Sequence, residues 1–191
     1  MKMEKSYKMT NKERFNELLL STETVGMFDL IDHLEKISFY DAPASGGNHM
    51  AKDGGLLEHS LNVYDVAVSM ISLNTFNTYV KYEDLVIASL LHDVGKAGCY
   101  DQPYYLENIL KSGKRSDAKP FETNKEINLI QHQDSSVLIV SKFINLTYHQ
   151  HVAIKYHNGL YTADGRDING KETPLYLIIH FADMWASRFM E

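Results

Sequence analysis

A chain of 191 residues, 44% hydrophobic and 23% charged, has the makeup of a globular protein, which excludes a disordered or fibrous one. Its 19 Lys and Arg against 25 Asp and Glu leave a net charge of −6, so global charge does not supply a polyanion-binding surface and any phosphate chemistry must use a local patch. The strongest apolar stretch, Leu85 to Leu91, is short and is interrupted by Ser89, whereas a membrane span needs about 20 such residues.

The first residues, Met1 to Lys8, carry charges without an apolar segment behind them, unlike a signal peptide. Cys99 is the single cysteine and can form no internal disulfide. Both facts point to the cytoplasm. The length suits one domain, residues 1–191.

Helical signals follow one another along the chain. Thr10 and Glu13 have capping-box spacing, and Phe15, Leu18 and Leu19 continue at helical period. Met27, Leu30, Ile31 and Leu34 form a second amphipathic piece, and residues 38–53, with Pro43, Gly46 and Gly47, read as a loop. Asp53 precedes a strong helix whose stripe runs Leu56, Val63, Val66, Ala67 and Met70. Tyr82 to Val94 is apolar nearly all round, the pattern of a buried helix, and Gly95 suits its stop. Residues 100–131 predict irregular chain or a short hairpin. Ser135 to Ile144 is amphipathic. Thr147 with Gln150 opens a helix ending at Asn158-Gly159, and Thr173-Pro174 opens the last. The pattern predicts a single all-α domain. Tyr100, Tyr104, Tyr105 and Trp185 are expected to pack rather than to stack on bases.

Several polar residues fall where a core should be. His59 lies on the apolar stripe of its helix, His92 and Asp93 end the most apolar run, and Asp183 stands among Ile178, Ile179, Phe181 and Ala182. His157 ends the helix that carries Ala153 and Ile154. A lone histidine there is ordinarily a satisfied core residue, and a lone Asp ordinarily caps a helix or pairs with an Arg, for which Arg188 is near in sequence. An unpaired buried carboxylate is costly, so imidazoles and carboxylates pointing into one core could instead meet at a metal, and such mixed ligation suits zinc, iron, manganese or nickel.

The segments themselves resemble the HD-domain superfamily of metal-dependent phosphohydrolases. Gly-Gly-Leu-Leu-Glu-His (54–59) is similar to the first-histidine helix, and Leu-Leu-His-Asp-Val-Gly-Lys (90–96) to the doublet with its trailing Gly-Lys. Ala-Ile-Lys-Tyr-His-Asn-Gly (153–159) is similar to a later histidine segment, and His-Phe-Ala-Asp-Met-Trp-Ala-Ser-Arg (180–188) to the closing helix. They look most like the HD domain of bacterial 3′→5′ exoribonucleases and small stand-alone HD hydrolases of bacteria and phages. The resemblance implies an HD-domain helical bundle over residues 46–191, with residues 1–45 a helical extension. It implies that His59, His92, Asp93 and Asp183 bind one metal, and that His132 and His157 bind a second with Asp93 as the bridge. Here His132 sits in Gln-His-Gln-Asp-Ser-Ser, where relatives often have Gly before the histidine and Gly-Glu after it.

The implied cofactor is one or two divalent ions per chain (Mn, Fe, Ni, Co or Zn, or else Mg). The implied chemistry is hydrolysis of a phosphomonoester or phosphodiester by metal-activated hydroxide, with Asp93 and Lys96 at the reaction centre and Lys96 neutralising phosphoryl charge. Residues 111–125 hold Lys111, Lys114, Arg115, Lys119 and Lys125 against Asp117 and Glu122, a basic loop in which Lys114 and Arg115 are candidates to attract the substrate. The expected partner is a small phosphorylated molecule such as a nucleotide. Long nucleic acid is disfavoured, because the exoribonucleases carry a separate nucleic-acid-binding domain ahead of the HD domain. Two alternatives stay open, a 3′→5′ exonuclease on short oligonucleotides and a non-catalytic nucleotide-binding regulatory module.

Overall fold

A computed structural model describes residues 9–73 and 79–191; residues 1–8, whose charges argue against a signal peptide, lie outside the described residues. The chain is helical, with one two-stranded hairpin. Helix α1 (Asn11–Leu20) starts at the expected capping box: the Glu13 amide donates to Thr10 Oγ1 at 3.2 Å and the Thr10 amide to Glu13 Oε2 at 2.7 Å. Helix α2 (Met27–Lys36) buries Met27, Leu30 and Leu34.

Helix α3 (Gly55–Ile71) is capped by Gly54 in the left-handed conformation rather than by Asp53. A side chain at Gly55 would run into the carbonyl of Met50, so the paired glycines let the preceding loop fold tightly over the first turn. Helix α4 (Tyr82–Leu91) buries every residue from Leu85 to Leu91. It lies against α1 and α3 on one side and against α6 (Tyr148–Tyr156) and α7 (Pro174–Trp185) on the other. This shared apolar interior carries the fold: a Leu90→Ala cavity there should cost about 2–5 kcal/mol. Ser60 and Ser89 are buried beside it, each satisfied by the carbonyl four residues back at 2.9 and 2.7 Å.

Helix α4 stops at Leu91, earlier than its apolar run predicts. His92 turns its ring onto the Ser89 carbonyl, Asp93 adopts φ −109° and ψ 10°, and a 3₁₀ turn covers Val94–Lys96. Gly95 is not a left-handed stop. It lets this turn lie against the start of α5 (His132–Ser141), where a Cβ would strike the His132 carbonyl and approach Ser136 N at 2.8 Å. Its amide donates to Ser136 Oγ at 2.8 Å.

Between them, β1 (Tyr105–Glu107) pairs antiparallel with β2 (Phe121–Thr123), Leu106 opposite Glu122, realising the short-hairpin alternative. The hairpin is fixed to the loop before α3 by Phe121 N donating to Gly46 O at 3.0 Å. After α7, residues Ala186–Met190 form a π-turn. Trp185 and Tyr100, expected to pack, are 55% and 60% exposed, and the Trp185 ring lies 4.7 Å from that of Phe189. No described helix is long and apolar enough to cross a membrane.

Candidate metal centre

The six residues singled out from the sequence meet around one carboxylate. Asp93 Oδ2 lies 3.4 Å from His59 Nε2 and 3.3 Å from His92 Nε2, while Oδ1 lies 3.3 Å from both His132 Nε2 and His157 Nε2. Asp183 Oδ1 stands 3.3 Å from His59 Nε2. The elements explain the convergence. His59 comes from within α3, the His92-Asp93 pair from the end of α4, His132 from the first residue of α5, His157 from the end of α6, and Asp183 from α7.

Ring orientation follows from helix ends. The last carbonyls of a helix lack intrahelical partners, and His92 and His157, each just past its helix, donate Nδ1–H to the carbonyls of Ser89 and Ile154 at 2.8 Å. Their Nε2 atoms are thereby left as lone pairs. His59 Nδ1 meets the Glu191 carboxylate at 3.0 and 3.1 Å, so the neutral His59 ring presents Nε2 as a lone pair, 3.3 Å from that of His92. The amide of Asn158 points at His157 and His132 Nε2 at 3.0 and 3.2 Å.

Acceptors therefore face acceptors at the centre. Asp93 Oδ1 is buried with no hydrogen-bond donor, an arrangement that costs free energy unless a cation fills it. Imidazole nitrogens and carboxylate oxygens form two clusters that could hold a metal, one of His59, His92 and Asp93 and one of Asp93, His132 and His157; Asp183 groups with His92 and His157.

Lys96 lies against the cluster. Its Nζ lies 2.6 Å from Asp93 Oδ2, and burial, which alone would lower its pKa, is outweighed by Asp93, which raises it. Burial opposes the charge on Asp93, yet Lys96 and the histidines hold its pKa well below the usual range. Burial likewise opposes the Asp183 carboxylate, and His59 reverses it, leaving that pKa low. At His59, burial is outweighed by Asp183, Asp93 and Glu191, so its pKa stands well above 6.5. At His132 burial wins over Asp93 and the pKa falls to about 4.

A cavity of about 540 Å³ opens onto the cluster, lined by His49, Lys96, Asn158, His180, Asp183 and Arg188 among others. Arg188 lines this wall and makes no ion pair among the described residues, whereas Asp183 faces His59. Lys114 and Arg115 sit elsewhere, beside the hairpin's outer turn, where Leu110 N donates to Lys114 O at 2.8 Å and Arg115 pairs with Glu107 at 3.2 Å. The hairpin's base approaches the cluster, the Tyr104 ring lying 6.1 Å from that of His132. Glu191, Asn62 and Asn158 were not singled out from the sequence. Only Asn158 had a cue, its place beside His157 in the resembling segment.

The HD domain family model matches residues 56–183, a span that contains all six clustered residues. No curated protein and no solved structure matches the chain. By that match the chain belongs to the HD domain family, a superfamily of metal-dependent phosphohydrolases.

Proposed function

We propose that the protein hydrolyses the phosphoester of a nucleotide or similar small phosphorylated molecule, with His59, His92, Asp93 and Asp183 holding one divalent ion and Asp93, His132 and His157 a second. The observation that carries this is Asp93 Oδ1, buried without a donor between two imidazole lone pairs. When bound, such an ion lowers the pKa of a water and polarises a phosphoryl oxygen.

The chain's own groups supply the rest. Asp93 keeps Lys96 protonated, and the ammonium, 12% exposed at the cavity wall, is placed to receive a phosphoryl oxygen as negative charge builds there. Arg188, without an ion pair among the described residues, offers a second cation for a further anionic group. The cavity volume falls in the range of about 300–1,000 Å³ usual for small-molecule sites, in keeping with a mononucleotide rather than a polymer.

The test is a panel of nucleoside monophosphates and a dinucleotide, offered to protein purified without chelators and loaded with Mn²⁺, beside His92→Ala and Asp93→Ala. Phosphate release by the wild type alone is expected. Cleavage of the dinucleotide without phosphate release would make the protein an exonuclease. Ligand binding without turnover by a metal-loaded protein would make it a regulatory module.

A further inference from the structure

We infer that Glu191 is a positioning residue: its carboxylate fixes the His59 ring so that Nε2 faces Asp93 and Asp183. The inference rests on the reading of the cluster as a cation site.

The need arises from where His59 sits. His92 and His157 follow the last residues of their helices and borrow free carbonyls of those helices. His59 lies in the interior of α3, where carbonyls are taken up by the helix itself. Its Nδ1 therefore requires a partner from another element. Glu191 supplies one, with Oε1 at 3.0 Å and Oε2 at 3.1 Å, its side chain fully enclosed. Asn62, one turn on from His59 along α3, donates to Glu191 Oε1 at 3.0 Å and holds the carboxylate in place.

The π-turn explains how Glu191 arrives. In a regular α-helix the residue seven places after Asp183 would return to its face, and that residue is Met190. A π-turn takes up one extra residue, so the register advances to Glu191. Met190 is accordingly turned out, 48% exposed. The C-terminal stretch from α7 through the π-turn thus places a carboxylate near each nitrogen of His59, Asp183 by Nε2 and Glu191 at Nδ1. A carboxylate behind a ligating histidine fixes its tautomer and raises its basicity.

The same oxygens lie near His49, and His49, His59 and Glu191 are close enough to form a metal group of their own. That would need a lone pair on His59 Nδ1 as well as on Nε2, which a neutral imidazole does not have. The proton on Nδ1 decides for positioning.

The experiment compares the full chain with Glu191→Gln and Glu191→Ala. It measures Zn²⁺ affinity by competition with a chromophoric chelator, the thermal midpoint without metal, and the His59 Nδ1 proton resonance. Glu191→Ala should weaken one of two Zn²⁺ ions by about 10–100-fold and leave the other unchanged. Glu191→Gln, which still accepts from Nδ1–H without the charge, should fall between. The slowly exchanging Nδ1 proton should be present in wild type, with or without Zn²⁺, and absent in Glu191→Ala. Unchanged affinity at both ions with the resonance retained would overturn the inference. So would equal weakening of both ions with a lowered midpoint, the mark of a merely structural residue. If the wild type bound no Zn²⁺, the cation reading would fall, and the Nδ1 resonance would still decide the role of Glu191.

Discussion

On the Oδ2 side of Asp93, His59 and Asp183 project from within α3 and α7 and His92 from the end of α4, and both histidines are fully buried. On the Oδ1 side, His132 and His157 come from the first residue of α5 and the residue after α6, with His132 15% exposed. A backbone carbonyl holds one histidine on each side, His92 and His157; His59 on the first side is held by carboxylates, and the second side adds the Asn158 amide. Two of the three groups on the first side are thus fixed by helix interiors, whereas both histidines on the second side stand at helix ends. The first ion should accordingly bind more tightly than the second.

Asp93 is the one residue that serves both sides, so its loss should have the largest effect. Asp93→Asn removes the charge and puts an amide donor where cations are expected. A metal supplies several kcal/mol of transition-state stabilisation, so kcat/KM should fall by about 1,000-fold or more. Elemental analysis should find both ions reduced. Retention of one full ion would show that the two sides do not depend on a shared carboxylate.

His59→Ala and His132→Ala should then separate the sides. The first should abolish the tighter ion, and the second should remove only the weaker, as read by calorimetric titration with Mn²⁺. Equal losses in both variants would break the comparison.

Protons should compete with metal differently on the two sides. His59 has its pKa raised above 6.5 by carboxylates, so protons compete with a metal for its Nε2 at higher pH than they would at a free imidazole. His132 has its pKa lowered to about 4, so its Nε2 stays a lone pair until the solution is far more acidic. Affinity at the first side should therefore weaken with each unit of acidification from pH 8 to 6, while His132 itself adds no proton competition there. The same shifts set stability without metal. His132, with a folded pKa below the unfolded 6.5, contributes stability present above pH 6.5 and lost as the pH falls toward 4. His59 contributes stability that is present below pH 6.5 and lost as the pH rises through its raised folded value. Denaturant melts of metal-free His132→Ala against wild type at pH 7 and pH 4.5 should show the acid-side loss only in the wild type.

Gly95→Ala tests how the second side is positioned. The added methyl would meet the His132 carbonyl and the Ser135 side chain, overpacking that costs about 1–3 kcal/mol. The displacement should fall on α5, weakening the second ion while leaving the first nearly intact.

What the sequence discloses follows the same division. Helices with a long apolar stripe or a capping box, such as α1, α3 and α6, are legible because period and cap are local. Five of the six clustered residues are legible because each interrupts an apolar pattern or stands in a segment that resembles the family; His132, whose surrounding segment departs from the family's, is legible only by its place between the His92-Asp93 pair and Asp183. Glu191 is not, since a π-turn shifts the register and no local pattern announces it. The role of Gly95 was misread for a related reason. A glycine after an apolar run looks like a helix stop, while the close approach that requires it comes from α5, some 40 residues away.

The smallest effect concerns the basic hairpin. Its charge, read from sequence, suggested substrate attraction by Lys114 and Arg115, but Arg115 is paired with Glu107 beside the outer turn, and Arg188 faces the cavity without an ion pair among the described residues. An exposed ion pair contributes little, whereas a hydrogen bond to a charged group is worth about 1.5–3 kcal/mol. Arg188→Ala should therefore raise KM by about tenfold with kcat little changed. Lys114→Ala and Arg115→Ala should shift KM by less than about twofold, the residue of long-range attraction that salt screens. Salt titration of KM sharpens the contrast: the Arg188 effect should persist at high ionic strength and the hairpin effect should vanish. A hairpin variant that raised KM as much as Arg188→Ala would mean that the outer turn closes over the cavity when substrate binds.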